Sequence, residues 1–343
     1  MKPFDRIGLD RIDLDHILQH ADLSPLRGQS IFITGGTGFF GCWLLESFLH
    51  ANRELGLGAQ ATVLTRDPAA FAGKAPHLAK DAAITLLSGD VKSFAFPAAH
   101  HEFILHAATD SGSKQAESTP AALHAAIVDG TRHTLGFAAA TGAGRLLYTS
   151  SGAVYGPQPT TLTHIPESYE GRAAADNVYG SAKLESEALC LAEPHLTATI
   201  ARCFAFLGPH LPLDAHFAAG NFIRDAIAGT PLHIQGDGTP RRSYLYSADL
   251  MIWLWTMLLH APAGSIYNVG SEESVSIAEL AQRTAETLRP GLPVQIDKQH
   301  AASTPIAQYV PSTQKAYAEL DLRTLISLEE SIRRTAAWHG YSL

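Results

Sequence analysis

Short apolar runs alternate with longer stretches of helical periodicity along most of the chain. Ser30–Thr34 is a β-type run, followed by closely spaced glycines and then by apolar helical sequence through about Ala51. Ala61–Thr65, Ile84–Leu87, Phe103–His106, Arg145–Ser150 and Thr197–Phe204 read as further strands. Between them, Pro120–Ala140 and Val178–Leu191 read as helices. Strands that alternate with helices predict βαβ units, and hence an α/β fold with a doubly wound parallel sheet. The stretch 156–177 is rich in Pro, Thr and Gly and predicts a surface loop. From about Gly208 the alternation becomes irregular, which predicts a smaller α+β lobe over 208–343, with a segment at about 245–260 returning to the sheet domain of 29–207. Residues 1–28 read as an N-terminal arm packed on the body. In it Ile12, Leu14, Ile17 and Leu18 are expected on one helix face, with Asp13, Asp15 and Gln19 outside.

The 343 residues are 46% hydrophobic and 17% charged, enough apolar surface for a large core. Lys plus Arg number 25 and Asp plus Glu 33, a net charge of −8. That balance disfavours a nucleic-acid partner, which needs a basic surface. The three cysteines form no CxxC pair and no disulfide framework, as suits a reducing compartment. Residues 1–26 are polar and acidic, unlike a signal peptide, and the apolar run 250–259 is too short for a bilayer. A cytoplasmic location without membrane association is therefore expected. His16 and His20 are four apart but lack a third ligand, so no metal site is expected.

Residues 34–41 read Thr-Gly-Gly-Thr-Gly-Phe-Phe-Gly. Gly35, Gly38 and Gly41 follow a strand and open a helix, the context in which glycines let a backbone approach a pyrophosphate and a helix N-terminus receives it. The pattern predicts a Rossmann-type dinucleotide site. The end of the second strand discriminates between dinucleotides. An acidic residue there would hold the adenosine ribose and repel a 2′-phosphate. Thr65 stands at that position, with Arg66 next to it, which favours NADP. Asp67 follows, so NAD is the alternative.

Two further segments carry chemistry. Tyr148 to Gly156 contains Ser151 at a strand end, and Tyr179-Gly180-Ser181-Ala182-Lys183 opens a helix. Tyr179 and Lys183 share a helix face. A phenol titrates near 10, and a lysine cation one turn away favours its ionised form. With Ser151 on the same oxygen, the three groups can move a proton while hydride passes between a carbinol carbon and a nicotinamide.

With these motifs in order, the chain resembles the extended short-chain dehydrogenases/reductases, in the nucleotide-sugar branch of the NAD-dependent epimerase/dehydratase family, over about residues 30–340. The resemblance rests on TGGTGFFG, SSGAVYG and YGSAK, with weaker echoes at Asp90-Val91, His106-Ala107-Ala108, Arg202-Cys203-Phe204, Gly236 to Asp249 and Asn268-Val269-Gly270. It implies Ser151, Tyr179 and Lys183 as catalytic residues. It implies cofactor contacts from Gly35, Thr37, Gly38, Phe39, Phe40, Gly41, Thr65, Arg66, Asp90, Val91, Ala107, Ala108, Tyr179, Lys183 and Cys203. It implies substrate contacts from Thr109, Ser151, Asn221, Phe222 and Arg242, the arginine on a nucleotide diphosphate. It also implies a homodimer. Ile127 and Ala205 depart from the family, which often has Asn at both.

Family members that dehydrate a hexose usually carry an acidic pair directly after the catalytic Ser/Thr, and the decarboxylases commonly have a Glu near the same place. Here those positions are Gly152 and Ala153. The bifunctional epimerase/reductases have a Cys where Ala153 stands, and Cys203 reads instead as a buried core thiol. His210 and His216 read as loop histidines. Two reactions need only Ser151, Tyr179, Lys183 and a nicotinamide. They are reduction of a 4-keto-6-deoxy nucleotide sugar with NADPH, and epimerisation through a transient ketone on bound NAD. The Thr65-Arg66 pair favours reduction, with epimerisation the alternative.

Overall fold

A computed structural model describes residues 8–109, 119–171, 177–215, 217–301 and 304–342. Six strands run in chain order: β1 (Ser30–Thr34), β2 (Gln60–Thr65), β3 (Ile84–Ser88), β4 (Phe103–His106), β5 (Arg145–Ser151) and β6 (Thr197–Cys203). A seventh, Ser265–Val269, joins at the edge beside β6. All seven are parallel, in the order Ser265–Val269, β6, β5, β4, β1, β2, β3. The order reverses between β1 and β4. In open α/β sheets that reversal leaves a crevice at the carboxyl ends of the two strands, where ligands bind.

Helices cover both faces. On one face α2 (Phe39–Glu54) buries Trp43, Leu44 and Phe48, and packs beside the helix Ser247–His260. The apolar run 250–259 belongs to that second helix, which is buried over nearly its whole length because it lies between the sheet, α2 and the N-terminal helix. The opposite face carries the long helix Pro120–Thr141 and the helix Val178–Leu191, packed against each other. Among the described residues no helix is long and apolar enough to cross a membrane. A second core, built around Ile223, Leu280 and Ile332, joins the helices Ala218–Ala228, Ile277–Leu288 and Leu328–Trp338.

The N-terminal helix α1 (Arg11–His20) differs from its expected orientation. Ile12 is 70% exposed, whereas Asp13 is only 2% exposed. Asp13 accepts hydrogen bonds from the Tyr246 hydroxyl (2.7 Å) and from Arg334 (2.5 Å), and burial raises its pKa. The apolar count of this short helix pointed one way. Two polar partners distant in sequence turn it the other way, because a buried carboxylate must be paired. His16 contacts Asp249 (2.9 Å), whose other oxygen accepts the amides of Leu325 and Ile326. His20 turns back to the carbonyl of His16 (2.9 Å), so the two rings serve separate partners.

Candidate active site

The glycine turn is closed by contacts that exclude side chains. Gly35 has φ +73°, and a Cβ there would lie 2.4 Å from the Ala107 carbonyl oxygen. A Cβ at Gly41 would lie 2.1 Å from the Gly36 backbone, so α2 can sit tightly on the turn only with glycine there. Gly38 is different, since its missing Cβ has only ordinary contact with protein. It occupies the N-cap of α2 without any side-chain cap, so the first turn presents uncapped backbone at the crevice. Thr37 offers its carbonyl to Lys74 (3.0 Å). Phe39 and Phe40 are half-buried and pack against the protein cores, with Phe40 edge-on to Phe206.

At the end of β2, Thr65 is buried and its hydroxyl accepts the Asp67 amide (3.3 Å). The Asp67 carboxylate accepts the Ala70 amide (2.9 Å) and caps the helix Pro68–Lys74. Asp90 caps its own turn through the Lys92 amide, and Val91 packs where a Cβ on Gly130 would collide. Ala107 and Ala108 follow β4 directly beneath the glycine turn.

A directed hydrogen-bond chain supports this junction. The Ala108 amide donates to Thr34 Oγ1 (3.0 Å), and the Thr34 hydroxyl donates to His106 Nδ1 (2.7 Å). His106 Nε2–H then donates to Thr131 Oγ1 (3.1 Å), whose hydroxyl donates to the Ile127 carbonyl (2.7 Å). An amide at one end and a carbonyl at the other fix the tautomer of His106. Burial, with Lys183 nearby, pushes the His106 pKa down to about 3, so the ring is neutral.

Ser151 ends β5, and Tyr179 and Lys183 stand on the first turns of the next helix, capped by Asn177. The Ser151 hydroxyl accepts the Ala153 amide (3.2 Å), and it lies close enough to the Tyr179 phenol to favour its ionised form. Lys183 is 2% exposed and donates to the Thr149 carbonyl (2.7 Å) and the Thr109 hydroxyl (2.7 Å). Its Nζ lies 5.9 Å from the centroid of the Tyr179 ring. Burial lowers the Lys183 pKa to about 8 and raises that of Tyr179 to about 12. The site therefore holds an ammonium beside a neutral phenol at pH 7. Cys203 lies opposite Ser151 in the β5–β6 register, buried, with its pKa pushed up to about 12 by burial.

The other expected contacts scatter. Thr109 presents its hydroxyl to Lys183 and donates to the Ala108 carbonyl. The Phe222 side chain lies in the second core, and Asn221 accepts from Arg224 on its own helix (3.1 Å). Arg242 sits 5.8 Å from the centroid of the Tyr309 ring. His210 is held at φ +68° against Trp338, and burial lowers its pKa to about 4. His216 lies outside the described residues.

Two groups escaped sequence reasoning. Glu187, one turn beyond Lys183, accepts from Ser150 and from Arg202 Nε (3.0 Å) and Nη2 (2.7 Å). The spacing from Lys183 was a usable signal for it. Tyr309 comes up beside Gly152, the serine's neighbour, from a two-residue strand in the irregular region, where no periodic signal exists.

The model of the NAD dependent epimerase/dehydratase family matches residues 31–270. UDP-glucuronic acid decarboxylase 6 of Arabidopsis thaliana is 28% identical over 326 residues, covering 90% of each chain. A dTDP-glucose 4,6-dehydratase of Streptomyces niveus is 25% identical, covering 90% of this chain and 92% of its own. Among solved structures, DesIV, a dTDP-glucose 4,6-dehydratase of Streptomyces venezuelae with NAD and TYD bound, superposes with TM-score 0.75. It is 22% identical, over 90% of this chain and 96% of that one. A UDP-glucose 4-epimerase of Thermotoga maritima superposes with TM-score 0.73 at 19% identity, over 90% of this chain and 98% of that one.

Proposed function

The chain belongs to the NAD dependent epimerase/dehydratase family, and from that premise we propose that it reduces a 4-keto-6-deoxy nucleotide sugar. The observation that carries this reading is the convergence of Ser151, Tyr179 and Lys183 at the end of β5, next to Gly152 and Ala153, which have no proton to give. The relatives include a decarboxylase and a dehydratase. In this family dehydration usually draws on acids at the two positions that are Gly152 and Ala153 here, and decarboxylation commonly on a Glu near the same place. Reduction needs one proton and one hydride, and three groups suffice for it.

A dinucleotide fits the residues present. The turn at Gly35–Gly41 is open at Gly38 and backed by an uncapped helix start. When bound, its nicotinamide supplies hydride to the carbonyl carbon. The Tyr179 phenol gives its proton to the carbonyl oxygen, and the Ser151 hydroxyl donates a hydrogen bond to the same oxygen. Lys183, held by Thr149 and Thr109, stabilises the phenolate that results. A pKa of about 12 keeps Tyr179 protonated and ready as an acid, the form that reduction requires. The NADP assignment rests on Thr65 and Arg66, supported by Lys74 at the turn and by the commitment of Asp67 to a helix cap. Arg242 takes the diphosphate of the substrate.

The test follows NADPH absorbance with purified protein and a panel of 4-keto-6-deoxy nucleotide sugars, with product analysis. Stoichiometric loss of NADPH with a reduced sugar is expected. Tyr179→Phe is expected to lower kcat by about 10²–10⁴. New sugar isomers formed without loss of NADPH would replace reduction by epimerisation, and undiminished activity of Tyr179→Phe would overturn the catalytic assignment.

A further inference from the structure

Tyr309 comes from outside the large sheet. The strand Gln308–Tyr309 pairs in parallel with Arg241–Arg242, placing Tyr309 opposite Arg242. The residues after it are pinned to the surface loop. Val310 donates to Gln158 (2.9 Å) and accepts from the Ile165 amide (2.9 Å). The Tyr309 ring packs tilted against Phe204, centroids 4.6 Å apart, and the Arg242 guanidinium lies over it. Its hydroxyl would be 2.7 Å from a Cβ on Gly152, so the phenol takes this place beside residue 152, next to the serine, where there is no side chain to displace it. The Ser151 hydroxyl, next in sequence to Gly152, is thus near two phenols, Tyr179 and Tyr309, and favours the ionised form of each.

Counting donors and acceptors orients the serine. A hydroxyl has one proton and two acceptor sites. The Ala153 amide takes one acceptor site. Burial raises the Tyr309 pKa well above the working range, so this phenol keeps its proton and is a donor. Once it donates to the second acceptor site, the serine proton can go only towards Tyr179 or the reacting oxygen. We propose that Tyr309 is a positioning residue whose hydroxyl donates to Ser151 and thereby holds the serine as a donor towards the reacting oxygen. The same ring carries Arg242, so it links the arginine assigned to the diphosphate with the catalytic serine. This rests on the reductase reading for its kinetic consequence but not for its geometry.

Tyr309→Phe deletes the hydroxyl and keeps the ring against Phe204 and Arg242. In turnover it is expected to lower kcat about tenfold, with KM for the sugar nucleotide changed less than threefold. That is smaller than the 10²–10³ for a donor that touches the oxygen directly. In a Ser151→Ala background the same change is expected to alter kcat less than twofold, because its route of action is gone. A second arm needs no turnover, namely titration of the Tyr179 ring carbon by NMR on ¹³C-tyrosine protein. The groups facing Tyr179 are Lys183, Cys203, Ser151, Tyr148 and Tyr309. Tyr309→Phe is expected to move the Tyr179 midpoint upward, and not to move it in Ser151→Ala protein. A kcat within twofold of wild type, multiplicative effects with Ser151→Ala, or an unmoved Tyr179 midpoint would each overturn the proposal. Absence of turnover by the wild type on the whole panel, with the midpoint shift present, would overturn the reductase reading alone.

Discussion

Replacing Glu187 by Gln isolates the contribution of one buried ion pair behind the reacting groups. Glu187 and Arg202 are both buried, and the carboxylate takes two guanidinium contacts and the Ser150 hydroxyl. The pair holds the Arg202 pKa above its ordinary value. Glutamine keeps the shape and removes the charge, leaving a buried guanidinium over the Tyr155 ring, at 4.7 Å, with no carboxylate in hydrogen-bond contact among the described residues. Breaking a buried pair in this way costs about 3–5 kcal/mol. An unfolding entropy of about 2.1 cal/mol/K per residue over 343 residues gives about 0.7 kcal/mol/K. The expected fall in Tm is therefore about 4–7 °C, read by circular dichroism or scanning calorimetry. Glu187→Leu combined with Arg202→Met, which removes both charges, is expected to recover most of that loss. A fall of less than 2 °C for Glu187→Gln would refute the argument. So would a double variant less stable than the single one, since it would mean that packing volume and not the unpaired charge sets the cost.

Lys183→Met tests the buried ammonium. The native pKa of about 8 lies below the ordinary 10.5, so between those values the unfolded chain binds more protons and wild-type stability rises with pH. Relative to Lys183→Met, the wild type is expected to gain about 2–3 kcal/mol between pH 8 and 10.5 by urea titration, and a flat difference would count against it. Asp13→Ala leaves Arg334 and Tyr246 without their shared acceptor. It is expected to expose the amides of 11–20 and 328–338 to hydrogen exchange while the large sheet stays protected, and unchanged exchange in α1 would refute the docking role. Arg66→Ala is expected to weaken NADPH binding about tenfold with little effect on NADH, measured by fluorescence titration, and an unchanged preference would remove the NADP assignment.

Much of this molecule was legible in its sequence, for reasons that are local. The strand–turn–helix at Ser30–Glu54 declares itself because only glycine fits beside Ala107 and against Gly36. Tyr179 and Lys183 are brought together by the helix repeat alone. The parallel sheet follows from apolar runs separated by helices. Other features are settled only when distant segments meet. The pattern of α1 misplaces Asp13 because its partners, Tyr246 and Arg334, lie more than two hundred residues away. Thr109 steadies Lys183 because β4 ends beside β5. Tyr309 arrives at Ser151 from a strand too short to leave any periodicity. Backbone geometry and side-chain repeats are written over a few neighbouring residues. A buried hydroxyl or carboxylate takes its orientation from whichever donors the folded chain brings to it, and only the tertiary structure decides which those are.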